Sequence, residues 1–361
     1  MKHYIQKVLL VIATLFFVNV LSARTRSKGS NTIHVRHGAS IQAAIDTAQD
    51  GARIEVEQGI YKGPIVISKN GISLIGQNAQ IIPPDTWSGE DGCTGFAGPD
   101  TRAGICISGH GISFGNLADH RKVVQVRNPV QDVTVTGFEV KGFSGPNIAV
   151  VGAKNAQVVK NTLRESPTYG CITAGSINSR ITDNTVVSSN ISFAIGICMD
   201  DFGPVTVSNN DISGYLIGLC VETDKALVQM NKVSGHCFGA FVDPGVNGAQ
   251  IIKNDFRDMN ETCPGNSGSS GVFIDGASNT EVRKNTIHGM LLPDESGAGI
   301  IVVDDGRTGT LSNGNTVRGN KLFDNNLDIF YSSNGLDNSF TKNKCTTSFP
   351  GELCADQSGE D

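Results

Sequence analysis

The sequence predicts an all-β solenoid: a single-stranded parallel β-helix of about ten coils, closed at its amino-terminal end by a short helix. The main observation is a motif that occurs eight times. It consists of an aliphatic or aromatic residue, two variable residues, Asn, one variable residue, then an apolar residue (Cys in the last copy). The copies are Val158–Leu163, Ile181–Val186, Val207–Ile212, Val228–Val233, Ile251–Phe256, Val282–Ile287, Val317–Leu322 and Phe340–Cys345. Their starts are separated by 23, 26, 21, 23, 31, 35 and 23 residues. A base period of about 22, stretched by insertions, is the mark of stacked repeats. It is too short for paired-helix repeats, and no recurring Leu-x-x-Leu-x-Leu frame supports a leucine-rich solenoid. The segments are rich in Val, Ile and Thr and are separated by Gly, Asn and Asp, so each coil reads as short strands joined by tight turns. The repeated Asn is expected at a corner, in the left-handed conformation, with its amide bonded to the next coil.

From the amino terminus, Met1–Lys7 is basic, Val8–Leu21 is almost wholly apolar, and Leu21-Ser22-Ala23 offers small residues for cleavage. Residues 1–23 therefore read as a secretory signal peptide, and no later stretch is long enough to span a membrane. Residues 24–39 read as a leader. Ser40–Ala48 combines a Ser cap with apolar residues at helical spacing, as a cap on the solenoid's open end requires. Ala52–Glu57, Gly59–Tyr61, Ile65–Ile67 and Ile72–Gly76 alternate as strands do. Coils are expected over 40–345, with a tail at 346–361.

Secretion accounts for nine cysteines. Cys93 is expected to pair with Cys106 across a Gly-rich loop, Cys345 with Cys354 in the last coil and tail, and Cys237 with Cys263. The odd count leaves one thiol over. Asn190 and Asn260 begin glycosylation sequons. A formal charge of -6 without a basic tract argues against nucleic acid as a partner, and sparse aromatics, with one Trp, argue against a starch- or cellulose-like surface. A monomer is expected.

A second ladder carries the candidate chemistry. Strands beginning at Gly196, Gly218, Gly239, Gly271 and Gly299 end in Asp200-Asp201, Glu222, Asp243, Asp275 and Asp304-Asp305. If Ile197 and Met199 face the core, then Cys198 and Asp200 face out. The same alternation puts Cys220, Glu222, Phe241, Asp243, Phe273 and Asp275 outside. The fifth register is open between Asp304 and Asp305. Adjacent carboxylates about 5 Å apart repel by ~3 kcal/mol at an effective dielectric near 20. Water, a bound cation or a shared proton must relieve this. Ca²⁺ held by Asp200, Glu222 and Asp243 is one solution. A carboxylic acid beside a carboxylate, as glycosidases use, is another. Turn formation alone is the plainer role for any single acid, since Asp243-Pro244-Gly245, Asp275-Gly276 and Asp305-Gly306 are good turn sequences.

The run from Ser40 to Gly76, followed by the Asn-ladder coils, resembles the right-handed parallel β-helix superfamily that includes pectate lyases. The likeness covers roughly residues 32 to 345. It implies a right-handed coil, a substrate groove on the glycine-to-acid strand, and loops 257–270 and 288–298 as groove walls. Met199-Asp200-Asp201 and Gly109-His110-Gly111 resemble polygalacturonase motifs, but in reversed order. Asp243-Pro244 resembles the epimerase Asp-Pro motif, with Gly245-Val246 in place of the acid or His that follows there. The leading expectation is a secreted lyase-like enzyme acting on an acidic polysaccharide or another extracellular glycan, with Ca²⁺ and no organic cofactor. Its catalytic candidates are Asp200, Asp201, Glu222, Asp243 and Asp275, with Lys225 or Arg307 as base. His236 and His288 lie near the column in sequence, and His120-Arg121-Lys122 forms a basic spot on an earlier coil. Three other readings remain open: a metal-free glycoside hydrolase, an enzyme of small-molecule biosynthesis, and a non-catalytic surface protein.

Overall fold

The computed structural model describes residues 32–354 except 88, 119 and 264–267, and leaves the side chains of 190, 192 and 193 undescribed. The expected signal peptide lies outside these residues.

Strands stack in parallel, in-register ladders. Val135, Val158, Ile181, Val207 and Val228 follow one another on successive coils of one face. Val140, Leu163, Val186, Ile212 and Val233 do the same on the next. These positions are buried, so the inward apolar residues of each motif form one continuous core along the axis. The helix Ile41–Thr47 closes the open end. Ser40 Oγ accepts the Ala43 N–H at 3.1 Å, and Ile41 and Ile45 are turned into the core.

Both ends reach beyond the expected limits. Thr32–Val35, within the expected leader, is already a strand paired with Arg53–Val56. Ser348–Phe349, within the expected tail, pairs with Ile329–Phe330. Both segments alternate apolar and polar residues well enough to extend a ladder.

The Asn ladder is present, but the left-handed residue is the one before each Asn. Lys160, Asp183, Asn209, Met230, Lys253, Lys284 and Lys342 have φ between 54° and 58°. The Asn itself turns inward. Asn184 Nδ2 donates to the Val158 carbonyl at 2.9 Å and to Asn210 Oδ1 at 3.0 Å, and that oxygen also accepts the Asn184 N–H at 3.0 Å. Buried backbone groups at the corner need these partners, so the Asn is held inside and its exposed neighbour takes the turn. The second corner is set by glycine. A Cβ on Gly218 would lie 2.8 Å from the Gly239 carbonyl oxygen, too close for any other residue.

Among the described residues, one antiparallel pair departs from the ladders. It is the hairpin His110–Leu117 with Arg121–Asn128. It folds over the outside of the strands bearing the glycine-to-acid row. Val123 packs there in a second apolar cluster with Cys106, Ala149, Ile172, Cys198 and Cys220.

Candidate functional site

The outward register expected for the glycine-to-acid strands is found. Ile197 and Met199 belong to the interior core, while Cys198 and Cys220 belong to the outer cluster. Cys198, Cys220, Phe241, Phe273 and Ile301 follow one another in register. Phe241 and Phe273 stack 5.0 Å apart and nearly parallel. Beyond the hairpin Phe241 and Phe273 are only half covered, and Ile301 after them is buried again.

Four polar side chains meet where the hairpin ends. Asp200 closes one strand, Glu222 follows the next, and His120 and Lys122 arrive from the hairpin. His120 Nε2 lies 3.0 Å from Asp200 Oδ2. Lys122 Nζ donates to Asp200 Oδ1 and, at 3.3 Å, to Glu222 Oε2. Tyr169 OH lies 3.3 Å from His120 Nδ1. With Asp200 ionised, His120 Nε2 donates to it. His120 and Asp200 are 4% and 7% exposed, whereas the Lys122 side chain is 55% exposed. A ligand would therefore meet Lys122 and Glu222 first. The repulsion expected between stacked acids is relieved here by an ammonium from a distant part of the chain.

The two acids are driven apart in acidity. Burial acts to raise the pKa of Asp200, but hydrogen bonds from His120 and Lys122, aided by their charge, outweigh it and hold it below the usual range. Burial pushes Glu222 up, with the negative charge of Asp200 adding to it against His120 and Lys122. Partial burial works against the Lys122 ammonium, yet the bonds and charges of Asp200 and Glu222 raise its pKa and keep it protonated.

Asp201 does not join the outward row. It lies beneath it, with Oδ1 accepting the Ser176 N–H at 2.9 Å, and burial pushes its pKa up to about 7. The folded state thus keeps a proton that the unfolded chain releases near pH 4. Stability is expected to fall as pH rises from about 4 to about 7 and then level off, a loss of a few kcal/mol. Asp201→Asn is expected to flatten that slope in denaturant titrations. An unchanged slope would mean that Asp201 ionises in the folded protein as it does in water.

The remaining candidates are spread along the solenoid. Asp243 is half-buried on the coil after Glu222, and its N–H donates to the Val221 carbonyl. Asp275 is in register with Val303, so the acid row ends there rather than in a fifth coil. Burial, then the charge of Asp305, raises the pKa of Asp275 against Arg307. Asp304 accepts the N–H groups of Ser312 and Asn334, and Asp305 those of Arg307 and Thr308. Both acids are turn formers. Arg307 is exposed beside them. Asp275 lies three coil steps from Asp200, roughly 14 Å away. Lys225 occupies a left-handed corner (φ 57°), where its N–H donates to the Asn247 carbonyl. His236 is fully buried against Phe256, and burial pushes its pKa down to about 3. His288 stacks on Phe323 on the face that follows the Asn ladder, away from the acids.

Three disulfides match expectation: Cys93–Cys106, Cys237–Cys263 and Cys345–Cys354. The fourth, Cys198–Cys220, joins adjacent rungs that the sequence reading left as an unpaired outward column. Their separation of 22 residues is one coil, a signal that was available. Cys171 is the free thiol and is buried. Asn260 is half-buried, its Oδ1 accepting the Thr262 N–H. The Asn190 side chain lies outside the described residues.

No curated protein sequence matches the chain. Among solved structures it resembles an alginate lyase from Paenibacillus sp. str. FPU-7, at 15% identity, covering 84% of this chain and 98% of that one, with a TM-score of 0.56. It also resembles the Azotobacter vinelandii mannuronan C-5 epimerase AlgE4 A-module, at 13% identity, 85% and 94% coverage and a TM-score of 0.52. A third is PfbA, a surface adhesin of Streptococcus pneumoniae, at 14% identity, 84% and 86% coverage and a TM-score of 0.51. At these identities the likeness is one of fold. The family model described as "Right handed beta helix region" matches residues 195–355. The model described as "Periplasmic copper-binding protein (NosD)" matches residues 60–269, more than half of the chain. The chain therefore belongs to the NosD family, within the right-handed parallel β-helix superfamily.

Proposed function

We propose that the protein is a carbohydrate-active enzyme that abstracts the proton beside a uronate carboxylate of an acidic polysaccharide, leading to β-elimination. One observation carries this reading: the exposed Lys122 ammonium lies between an ionised Asp200 and a Glu222 of raised pKa. Lys122 receives the substrate carboxylate and offsets the charge that grows on it as the proton leaves. Glu222 takes the proton, its raised pKa making it a stronger base once ionised. Asp200, held by His120 and in turn by Tyr169, positions the ammonium. Phe241 and Phe273 offer faces on which neighbouring sugars can rest. Two structural neighbours carry names of this reaction class, an alginate lyase and a mannuronan epimerase. Four disulfides favour a location outside the cytoplasm.

In this reading Lys122 does what Ca²⁺ was expected to do. Ca²⁺ takes six to eight oxygen ligands. Here both Asp200 oxygens and Glu222 Oε2 already face His120 or Lys122, so the residues do not fit that ion as they stand. Activity is expected to survive chelation. Loss of activity on chelation, restored by Ca²⁺, would return the role to Asp200, Glu222 and Asp243.

A second reading, hydrolysis, is favoured by the closeness of the Asp200 and Glu222 oxygens, which lie within 4.8 Å of each other and of a His120 nitrogen. Incubation with a panel of polyuronates separates the two. Elimination yields an ultraviolet-absorbing unsaturated sugar, and hydrolysis yields new reducing ends without it. Binding with neither product would make the protein a non-catalytic glycan binder.

A further inference from the structure

The proposed reaction leaves Cys198 and Cys220 without a role, although both touch its central acid. They are in register on adjacent rungs, with Cα atoms 4.5 Å apart and their sulfurs joined. Glu222 Oε1 lies 3.6 Å from Cys198 Sγ and 3.3 Å from Cys220 Sγ, while Oε2 faces Lys122. The same carboxylate belongs to a second close group with His120 and Asp200. Two three-donor groups, each within 4.8 Å, thus share Glu222.

These donors have a definite preference. Two sulfurs and one carboxylate oxygen suit zinc or copper(I) and are a poor match for Ca²⁺ or Mg²⁺. Spacing agrees. Two thiolates bound at about 2.3 Å to one tetrahedral metal stand ~3.8 Å apart, within reach of side chains on rungs 4.5 Å apart. Joined as a disulfide, the sulfurs carry no charge and bind metal weakly, because the thiolate is the ligand. Copper, the metal in the family's description, therefore fits these residues only after reduction.

We propose that reduction of the Cys198–Cys220 disulfide creates a transition-metal site, with both thiolates and Glu222 as ligands. A small dithiol supplies the two electrons and two protons. The S–S bond breaks, two thiols form, and the dithiol closes to its own disulfide. Metal binding then expels the thiol protons. Because Glu222 is drawn into the metal's shell, the loaded state is distinct from the one that performs proton transfer. The site does not depend on that activity and is tested without it.

The test uses the full mature chain with zinc, and separately copper(I) under anaerobic conditions, in competition with a chromophoric chelator. The oxidised and phosphine-reduced forms are compared. Reduced protein is expected to hold one more equivalent than oxidised protein. That equivalent should be missing in reduced Cys198→Ser/Cys220→Ser and weakened at least about tenfold in Glu222→Gln. The double variant also corrects for thiols released from the other three disulfides. Should it fail to fold, differential alkylation of wild type replaces it, with metal expected to protect Cys198 and Cys220. No extra equivalent on reduction, an equal equivalent in the double variant, or unprotected Cys198 and Cys220 would overturn the proposal.

Discussion

Lys122→Ala is expected to lower turnover of a polyuronate by about 10²–10³-fold, the loss typical when one preorganised charge partner of a transition state is removed. The side chain is about half exposed, so the fold should persist, with a lower melting temperature because Asp200 and Glu222 lose the ammonium that offsets their repulsion. Two further readouts distinguish this from a merely structural loss. Without the ammonium, Glu222 faces Asp200 unscreened, so the ascending limb of the pH–rate profile should move to higher pH. Lys122→Arg keeps the charge and should recover part of the rate, although a planar guanidinium cannot bridge the two carboxylates in the same way. Full activity in Lys122→Ala, at unchanged pH dependence, would remove this cluster from the chemistry.

The largest loss of stability should follow Asn254→Ala. Asn254 Oδ1 accepts from the backbone N–H and side-chain amide of Asn231 at 2.9 and 3.0 Å, and its Nδ2 donates to the Val228 carbonyl at 3.0 Å. Alanine leaves the buried Asn231 N–H without its acceptor, at roughly 1–3 kcal/mol, and takes one partner each from the Asn231 amide, which keeps the Val207 carbonyl, and from the Val228 carbonyl, at about 1 kcal/mol each. A cost of about 3 kcal/mol or more is a large share of the 5–15 kcal/mol typical of a folded domain. The same change at Asn343, half-buried in the last motif, should cost less because water can replace the lost amide. Chemical denaturation of the two variants gives the comparison. Equal effects would mean that burial does not set the strength of the ladder.

The solenoid was legible because its cause is periodic. An inward Val or Ile every coil, with Asn three residues on, must stack, and the same alternation correctly turned Asp200, Glu222 and Cys220 outward. The register of the acid row failed at its fifth member, where one extra residue and a turn-forming Asp304-Asp305 cannot be told from a continued ladder by local pattern. The site was half legible. Asp200 and Glu222 followed from spacing, whereas the base was sought among nearby basic residues, at Lys225 and Arg307, and the cation in Ca²⁺. Lys122 is 78 residues from Asp200 and 100 from Glu222 and comes from a non-repeating hairpin, so no period could place it. What remained readable was the charge cluster itself, His120-Arg121-Lys122, and the alternation of Arg121–Asn128, which fits an added strand.

The hairpin that delivers Lys122 also limits the directions of approach. It covers the outer row as far as Cys220 and leaves Phe241 and Phe273 only half covered. A long molecule laid along that row thus meets a closed wall on one side of Lys122 and, on the other, the half-exposed rings of Phe241 and Phe273 before the buried Ile301. Such a one-sided trough admits a chain by its terminus more readily than by its middle. Under the proposed activity, short pieces would be trimmed from polymer ends, so small products would accumulate long before a viscous solution thinned.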